Sequence, residues 1–316
     1  MTKSLSQRIA LYLSGSLLLR AGKILHENHL TDWQLGGSFV RKSMANAYLI
    51  LNDYGKGLFP PKLPPREETF KIEREQFESW EFQSLDKTVA EAMTKPFSFP
   101  LHLLKCYTWA YVSIIETFNR RGIKPGSKLL EFGCGMGWLA ELLTYQGYHV
   151  TGTTIAPIDI KHAKRRIGLL KERGIQSKLD FFCSPMEEMH KHIDPTEPFD
   201  ATFCFEALHH AFDWRESLDA AAKCIRPGGQ LFLFSEPPTL HTFICYRSAK
   251  ILKTHEIGFK RKELVSHLKS LGLTDIEVRQ PVHIEKIRDF WKYFVPFTFG
   301  AGSLMARSFW IAARKK

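Results

Sequence analysis

The distribution of apolar and polar residues from residue 101 onward predicts strands that alternate with helices. A long, aromatic-rich apolar helix over 101–119 leads into a short apolar run, and runs of strand length then alternate with segments of helical period. The predicted strands are 128–132, 148–153, 179–183, 199–205, 230–235, 274–279 and 306–314. The predicted helices between them are 138–145, 159–173, 214–225 and 262–271. This order predicts an α/β fold with a doubly wound, mostly parallel sheet of seven strands.

The first hundred residues follow a different pattern. Residues 1–57 have helical character, a proline-rich segment over 59–65 follows them, and a charged helix then leads to a second proline-containing break over 95–100. We therefore predict an N-terminal helical extension or lid over 1–100 and a separate domain over 101–316.

An uncharged, largely apolar run extends from Ile9 to Leu19. It resembles the apolar region of a secretory signal, but Arg20 follows directly without a small-residue cleavage site, and the run is far shorter than the roughly 20 residues that span a bilayer. The apolar positions with the spacing of one face of an amphipathic helix are Ile9, Leu13, Leu17 and Ile24. Two interpretations stay open: this helix packs on its own domain, or residues 5–25 make peripheral contact with a membrane surface.

Three glycines at alternate positions follow the first predicted strand, in the sequence Lys-Leu-Leu-Glu-Phe-Gly-Cys-Gly-Met-Gly over 128–137. Because glycine has no Cβ, such a loop lets the backbone approach a ligand, and it adopts the dihedral angles of a tight strand-to-helix turn. The dinucleotide-binding pattern would need a glycine where Trp138 stands, and the Lys-Ser/Thr pair of a phosphate-binding loop is absent. The acid Glu131, two residues before the first glycine, fits neither of those loops.

This combination of acid and glycines resembles motif I of the class I S-adenosylmethionine (SAM) methyltransferases. The resemblance covers roughly residues 123–280 and the final ten residues, and it implies a Rossmann-like sheet whose last strand is inserted antiparallel. It also implies SAM as the cofactor, with Glu131 near the methionine ammonium group and the glycine backbone closing over it. The cofactor-binding residues implied in this loop are Glu131, Gly133, Cys134, Gly135, Gly137 and Trp138.

The loops after the second and third predicted strands are the next candidates, because a doubly wound sheet binds its ligand beyond the carboxyl ends of its strands. Most class I methyltransferases place an acid at the position of Thr154 to bind the ribose hydroxyls, whereas threonine there resembles the cyclopropane fatty acid synthase branch. Thr154 and Ile155 are expected beside the ribose; alternatively, Thr154 caps the helix at Asp159. Ser184 and Met186 are expected beside the adenine, with an ordinary strand-end loop as the alternative.

The loop after the fourth predicted strand, over 205–214, resembles the loop that faces the methyl group in small-molecule methyltransferases. A histidine titrates close to working pH and suits a general base for a hydroxyl. His209 is therefore the first candidate catalytic residue and His210 the second. The alternative is that the histidines only order the loop, for example through Asp213. Glu206 is expected to line the SAM pocket.

Glu236 ends the fifth predicted strand and is expected at the mouth of the same crevice, as a ligand for acceptor hydroxyls or as an alternative catalytic base. Asp213 and Glu236 do not make the carboxylate cluster that metal-dependent methylation of catechols needs, so no catalytic metal is expected. Nine aromatic residues form either an apolar acceptor pocket or part of the core. They are Tyr107, Trp109, Tyr111, Phe290, Trp291, Tyr293, Phe294, Phe297 and Phe299.

Composition adds information on partners and compartment. The formal net charge of +11 and the pI near 9.3 favour anionic partners such as phospholipid surfaces or phosphorylated substrates, although the basic residues are spread along the chain. Six cysteines without a CxxC pair suggest neither a disulfide framework nor a metal site, which favours a reducing, cytoplasmic setting. No nucleic-acid partner is expected, because the Asn/Asp-Pro-Pro-Tyr/Phe loop of nucleic-acid methyltransferases is missing and no separate nucleic-acid-binding module is evident.

The resemblance implies an enzyme that transfers a methyl group from SAM to a small-molecule acceptor. We expect the acceptor to be a hydroxyl of a sugar-like, polyketide-like or lipid-linked metabolite. Two alternatives stay open. One is carbon methylation or cyclopropanation of a lipid acyl chain, which Thr154, the basic charge and the apolar N-terminal helix favour. The other is a catalytically silent SAM-binding partner subunit.

Overall fold

The computed structural model describes residues 3–29, 39–82, 93–99, 101–280 and 308–316. The chain divides into two compact units, each built from two segments. The helical unit combines 1–72 with 239–258, and the sheet unit combines 73–238 with 259–316. This division differs from the boundary predicted between residues 100 and 101. Part of the predicted extension groups with the sheet, and the segment 239–258 groups with the N-terminal helices.

Among the residues that the structure describes, helices account for most of those outside the sheet. Those of the described residues are, in chain order, α1 Leu5–Ser14, α2 Leu17–Asn28, α3 Phe39–Lys56, α4 Arg66–Phe82, α5 Leu101–Arg120, α6 Trp138–Tyr145, α7 Pro157–Glu172, α8 Trp214–Lys223, α9 Leu240–Ile244, α10 Tyr246–Leu252 and α11 Arg261–Ser270. The apolar positions Ile9 to Ile24 are divided between two helices, because Gly15 ends α1 and Ser16 is the N-cap of α2. None of the helices described is both long enough and apolar enough to cross a membrane.

The sheet has seven strands in the order β3-β2-β1-β4-β5-β7-β6. They are β1 Lys128–Phe132, β2 His149–Thr154, β3 Leu179–Cys183, β4 Phe199–Phe205, β5 Ile225–Glu236, β6 Leu273–Arg279 and β7 Phe309–Lys315. β1 to β5 pair in parallel, and β7 runs antiparallel between β5 and β6. The predicted doubly wound sheet, including its antiparallel last strand, is confirmed. β5 begins earlier than predicted, since Ile225 pairs with Phe199 before the Pro-Gly-Gly turn.

The core of the sheet unit is aromatic and forms where α5 packs on the sheet. Phe118 of α5 is fully buried and meets four rings edge-on, with centroids 5.0–5.8 Å away. These rings belong to Tyr148, Phe203, Phe232 and Phe234. Trp109 contacts Trp310 at 6.0 Å, and the hydroxyl of Tyr111 donates to the carbonyl of Leu142 at 3.0 Å. These two predicted pocket aromatics therefore belong to packing contacts, whereas those over 290–299 lie outside the described residues.

The topology places the carboxyl ends of five parallel strands along one edge of the sheet. The chain runs outward from β1 through β2 to β3 and then returns to β4 on the other side of β1. The switch point of the sheet therefore lies between β1 and β4, where a crevice for a ligand is expected. The loops that begin after Phe132, Thr154, Cys183, Phe205 and Glu236 all leave from this edge.

The helical unit is held together by close helix contacts and by a buried polar network. α1 and α2 pack against α3 at glycines, since a Cβ on Gly22 would lie 2.4 Å from the carbonyl oxygen of Met44. The segment 239–258 joins these helices through polar contacts: the Tyr246 hydroxyl donates to the buried carboxylate of Asp53 at 2.7 Å. Arg247 is also buried, and its Nε donates to Nδ1 of His26 at 3.3 Å. The inserted segment is thus an integral part of this unit.

Candidate active site

The glycine loop between β1 and α6 has three left-handed glycines, with φ of +73° at Gly133, +50° at Gly135 and +74° at Gly137. Two of them are enclosed by other residues. A Cβ on Gly133 would lie 2.4 Å from the Cβ of Ala207, and one on Gly137 would lie 2.5 Å from the ring of Phe181. A Cβ on Gly135 meets no heavy atom of the chain within 4 Å. Gly135 is therefore the glycine of this loop whose missing side chain faces open space.

Glu131 lies beneath this loop at the carboxyl end of β1 and is buried. Its carboxylate accepts a hydrogen bond from the backbone N–H of Ala140, in the first turn of α6, and so satisfies one of the unpaired donors at that helix end. The other oxygen, Oε2, is buried and has no hydrogen-bond partner among the described residues. Burial raises the pKa of Glu131 to about 8, and the nearby Lys95 ammonium acts in the opposite direction. A buried acceptor without a donor is costly in a folded chain unless a ligand supplies one.

A cluster of aromatic rings surrounds the ammonium group of Lys95. Its Nζ lies 5.0 Å from the ring of Tyr107, 5.5 Å from Trp138 and 5.5 Å from Phe99. Burial lowers the pKa of Lys95, and the carboxylates of Glu206, Glu131 and Asp159 counteract this effect. Glu131 ends β1, Glu206 follows β4, and Asp159 stands in the helix after β2, so Lys95 lies near acids that come from the ends of three different strands. The cation–aromatic distances are within the range of favourable contacts.

Tyr107 connects this cluster to the loop after β4. Its hydroxyl donates to Oε2 of Glu206 at 3.1 Å, and burial together with Glu206 raises its pKa, so it stays protonated. Trp138 packs edge-on against Tyr107 at 5.4 Å and against Phe205 at 5.8 Å. Trp138 and Glu206, predicted from separate motifs, are therefore neighbours of one ring. Lys95 and Tyr107 have no motif around them, and the sequence analysis did not place either of them at the cofactor site.

The loops after β2 and β3 also lie side by side. The backbone N–H of Ser184 donates to the carbonyl of Thr154 at 2.9 Å, and the thiol of Cys183 donates to the carbonyl of Ile155 at 3.4 Å. Met186 reaches the glycine loop, since its Cε lies 2.8 Å from the Cβ position of Gly133. Cys134 joins them through its backbone N–H, which donates to the carbonyl of Thr153 at 2.9 Å.

The hydroxyl of Thr154 lies 3.4 Å from a carboxylate oxygen of Asp159, and both side chains are buried. The N-cap of α7 is Ala156, so Thr154 does not occupy the capping position. Asp159 stands in the first turn of α7, five residues after the position where most class I methyltransferases carry their acid. The sequence analysis considered Asp159 only as a partner of Thr154. The available signal was an acid in the first turn of a helix that begins with proline.

Glu236, which the sequence predicts at the mouth of the crevice, is fully buried at the end of β5. Its Oε1 accepts hydrogen bonds from the backbone N–H groups of Ala207 at 3.1 Å and Leu208 at 3.0 Å. Its Oε2 lies 3.1 Å from Nδ1 of His209. Burial opposes ionisation, but the His209 contact and the backbone donors outweigh it and lower the pKa of Glu236. A carboxylate held in this way positions other groups and is not available to an acceptor.

His209 and Glu236 form a buried pair, which we call the catalytic pair after the role proposed for it below. The contact with Glu236 favours the tautomer with the proton on Nδ1, which leaves the lone pair on Nε2. The His210 ring lies beside that of His209, with centroids 4.3 Å apart. Asp213 has another task, since its Oδ1 accepts from the backbone N–H of Arg215 at 2.8 Å and caps α8. The loop is therefore ordered by Glu236 and by this cap.

A family model described as a methyltransferase domain matches residues 109–278. This range includes the glycine loop, the catalytic pair, strands β1 to β5 and all but the last residue of β6. The chain belongs to this methyltransferase family. SAM is the cofactor of the family's domain, and the residues of the site are compatible with it.

This methyltransferase is similar in sequence to curated relatives over part of their length. It is 37% identical over 145 residues to a ubiquinone biosynthesis O-methyltransferase of Xylella fastidiosa, which is 46% of this chain and 54% of that protein. It is 30% identical over 192 residues to the enzyme of that name from Marinobacter nauticus, covering 57% of this chain and 74% of the relative. The chain thus spans only about half the length of the first of these relatives.

Solved structures show the same fold at low sequence identity. The magnesium protoporphyrin IX methyltransferase of Synechocystis PCC 6803, crystallised with bound SAH, has a TM-score of 0.55 and 14% identity to the present methyltransferase. The alignment covers 78% of this chain and all of that one. This similarity supports the architecture of the sheet unit and says nothing of the acceptor.

The open position at Gly135 generates a first prediction. Gly135→Ala should weaken SAM binding by at least about tenfold. The reason is that the new methyl group enters space that no atom of the chain fills and that we assign to the cofactor. Gly174→Ala is the matched control, since Gly174 also has positive φ and no atom within 4 Å of its Cβ position. Both variants carry similar backbone strain, of about 1–2 kcal/mol. Calorimetric titration that gives equal SAM affinities for the two variants would contradict this interpretation.

The raised pKa of Glu131 generates a second prediction. With a pKa of about 8 the free carboxyl group is mostly protonated at neutral pH. An ammonium group of the cofactor beside it would lower that pKa, so binding should release a proton and SAM affinity should increase with pH. The increase should reach up to about tenfold per pH unit between roughly pH 6 and 7.5.

Titration calorimetry in two buffers of different ionisation enthalpy measures this proton release directly. Glu131→Gln is the control, because it keeps the shape of the side chain and cannot titrate. The titration of SAM itself is common to both proteins and cancels in the comparison. Identical pH profiles for the wild type and Glu131→Gln would exclude Glu131 as the titrating group.

Proposed function

We propose that this methyltransferase transfers a methyl group from SAM to a hydroxyl of a small-molecule acceptor, with His209 as the general base. The observation that carries the proposal is the catalytic pair, in which a fully buried carboxylate lies 3.1 Å from Nδ1 of His209. The curated relatives named O-methyltransferases support transfer to oxygen. The acceptor we propose is a sugar-like, polyketide-like or lipid-linked metabolite.

Bound SAM would supply a methyl group on a positively charged sulfur, and in-line attack at that methyl carbon would break its bond to sulfur and release S-adenosylhomocysteine as the neutral leaving group. The lone pair on Nε2 of His209 accepts the proton of the acceptor hydroxyl as that oxygen forms its bond to the methyl carbon. Glu236 then faces a positively charged imidazolium and stabilises it. Because the loop backbone donates to Glu236, the His209 ring is held in place before the acceptor arrives. Holding the groups in alignment supplies much of the rate enhancement in such a displacement.

The cofactor residues divide by the chemistry of the SAM molecule. We assign the unpaired Oε2 of Glu131 to the methionine ammonium group, and the ammonium of Lys95 to the methionine carboxylate. Thr154 and Asp159 suit the ribose hydroxyls, since a hydroxyl both donates and accepts while a carboxylate accepts. Ser184 and Met186 remain our candidates for the adenine edge and face. Gly133, Gly135 and Gly137, with Cys134, form the loop that closes over the methionine end.

Carbon methylation or cyclopropanation of a lipid acyl chain is the second candidate, favoured by threonine in place of the usual acid at residue 154. Incubation of the protein with methyl-labelled SAM and panels of hydroxylated and unsaturated lipid acceptors separates the two by mass spectrometry. Label released from the product by ether-cleaving reagents supports transfer to oxygen. Label retained in a ring or on a chain carbon supports the second candidate, and absence of any labelled product supports a silent partner subunit.

The catalytic pair generates a third prediction. His209→Ala should reduce turnover by roughly a hundred- to ten-thousand-fold, the usual effect of removing a positioned base, while SAM affinity stays close to that of the wild type. His210→Ala, the matched neighbour, should lose less. Glu236→Gln should lower turnover and move the acidic limb of the pH profile to lower pH, because the imidazolium loses its counter-charge. If His209→Ala kept more than about a tenth of the turnover, a base other than His209 would be required.

The position of Lys95 generates a fourth prediction. Lys95→Met should weaken SAM binding by about ten- to a hundredfold, because a charge-assisted hydrogen bond to the methionine carboxylate is lost. Binding of 5′-methylthioadenosine, which has no carboxylate, should not change. Lys124→Met removes an exposed lysine of the same unit and serves as the control. If Lys95→Met instead bound SAM more tightly, Lys95 would be a competitor for the cofactor ammonium site and not a ligand.

A further inference from the structure

Helix α1 buries its small residues and exposes its large apolar ones. Its buried residues are Ala10 and Ser14. Its outward residues include Leu5, which is 75% exposed, and Tyr12, which is 80% exposed. The exposed large apolar residues of α1 are Leu5, Ile9, Tyr12 and Leu13. This arrangement is the reverse of the usual one, in which the apolar face of a helix packs on the core.

Close packing inside the helical unit explains which residues α1 and α2 turn inward. A Cβ on Gly55 of α3 would lie 2.4 Å from the Cγ of Leu11, so α1 approaches α3 at van der Waals distance. Gly22 brings α2 equally close to α3, next to Met44. These contacts hold one face of each helix against α3, with Leu11 over a glycine, and leave the opposite face outward. Leu17, at the start of α2, is 82% exposed.

The outward residues of α1 form one continuous stripe. Positions 9, 12 and 13 follow position 5 by four, seven and eight residues, the spacing of neighbours on one helix face. Isolated exposed leucines are common on protein surfaces, but a stripe opposite the buried face marks a surface that another body covers. We call these four residues the outer stripe.

The charged residues of the segment that carries the outer stripe are mostly basic. Residues 1–27 contain Lys3, Arg8, Arg20 and Lys23 and one acid, Glu27, whose carboxylate lies 3.8 Å from Nζ of Lys23. All four basic residues are exposed. Basic side chains beside an outward apolar stripe are the features by which helices bind in the interface plane of anionic membranes. α1 has ten residues, and such a helix lies along a bilayer surface instead of crossing it.

We propose that the outer stripe and its basic neighbours dock the helical unit on an anionic phospholipid surface. A second copy of the chain is the less favourable occupant, because a symmetric contact through this face would bring together two segments that are both predominantly basic. The stripe lies within the helical unit and shares no residue with the cofactor site of the sheet unit. Docking would bring the methyltransferase to the surface where a lipid-linked acceptor resides, and so it deepens the proposed function without depending on it.

The test is co-sedimentation with vesicles of phosphatidylcholine containing about one third phosphatidylglycerol, and with pure phosphatidylcholine, at low salt. The wild type should bind the anionic vesicles, and Ile9→Gln/Leu13→Gln should bind at least about tenfold more weakly. Arg8→Gln/Arg20→Gln should lose the preference for anionic lipid. Val112→Gln, which replaces a 47% exposed valine of α5 in the sheet unit, is the matched control and should bind like the wild type.

The same variants show which other occupant applies if lipid docking is wrong. Failure of the wild type to bind anionic vesicles would overturn the proposal. So would a dimer in solution that Ile9→Gln/Leu13→Gln dissociates, since a second copy would then cover the stripe. A clear loss of melting temperature in that variant would also overturn the proposal, since the stripe would then support the fold of the chain itself. SAM affinity, measured in parallel, should be unchanged in every variant, which keeps this test separate from that of the methyl transfer.

Discussion

The carboxylate of Glu236 has no exposed surface and must therefore find its hydrogen-bond donors inside the protein. An unpaired charge in that position would destabilise the fold by several kcal/mol, on the order of the whole stability of a domain. The chain meets this demand with two backbone N–H groups after β4 and with the His209 ring. One electrostatic requirement thus fixes the end of β5, the path of the neighbouring loop and the orientation of the proposed base. The loop conformation and the chemistry have the same physical origin.

Glu131, at the end of β1, is also a buried acid, but its carboxylate is only partly hydrogen-bonded. Glu131 satisfies one oxygen at the start of α6 and leaves the other without a donor among the described residues. Where Glu236 is saturated and lies in the interior, Glu131 retains an unused acceptor and a raised pKa. The two buried acids therefore have different functions although both end a strand. Glu236 determines structure, whereas Glu131 is suited to recognise a cation such as the ammonium group at the methionine end of SAM.

The sequence is sufficient to predict the sheet and the loops, because both depend on local patterns. The alternation of strands and helices predicts the seven strands, and the glycines with Glu131 predict the cofactor loop. The burial of Glu236 depends on β7 and on the loop after β4, which are distant in sequence, so a strand-end acid could not be recognised as interior. Lys95 reaches the site from a proline-containing segment without periodicity. The grouping of 239–258 with the first helices rests on contacts such as Tyr246 with Asp53, across almost two hundred residues.

The order of the strands also bears on how the chain folds during synthesis. β7 pairs with both β5 and β6, so the sheet has a gap between these two strands until residues 309–315 have left the ribosome. The helices of residues 5–56 are made first, yet their partner segment follows only after β5. Neither unit can finish folding before most of the other has been translated. A nascent chain of this type holds unpaired strand edges for a long interval, the state in which newly made proteins depend most on chaperones.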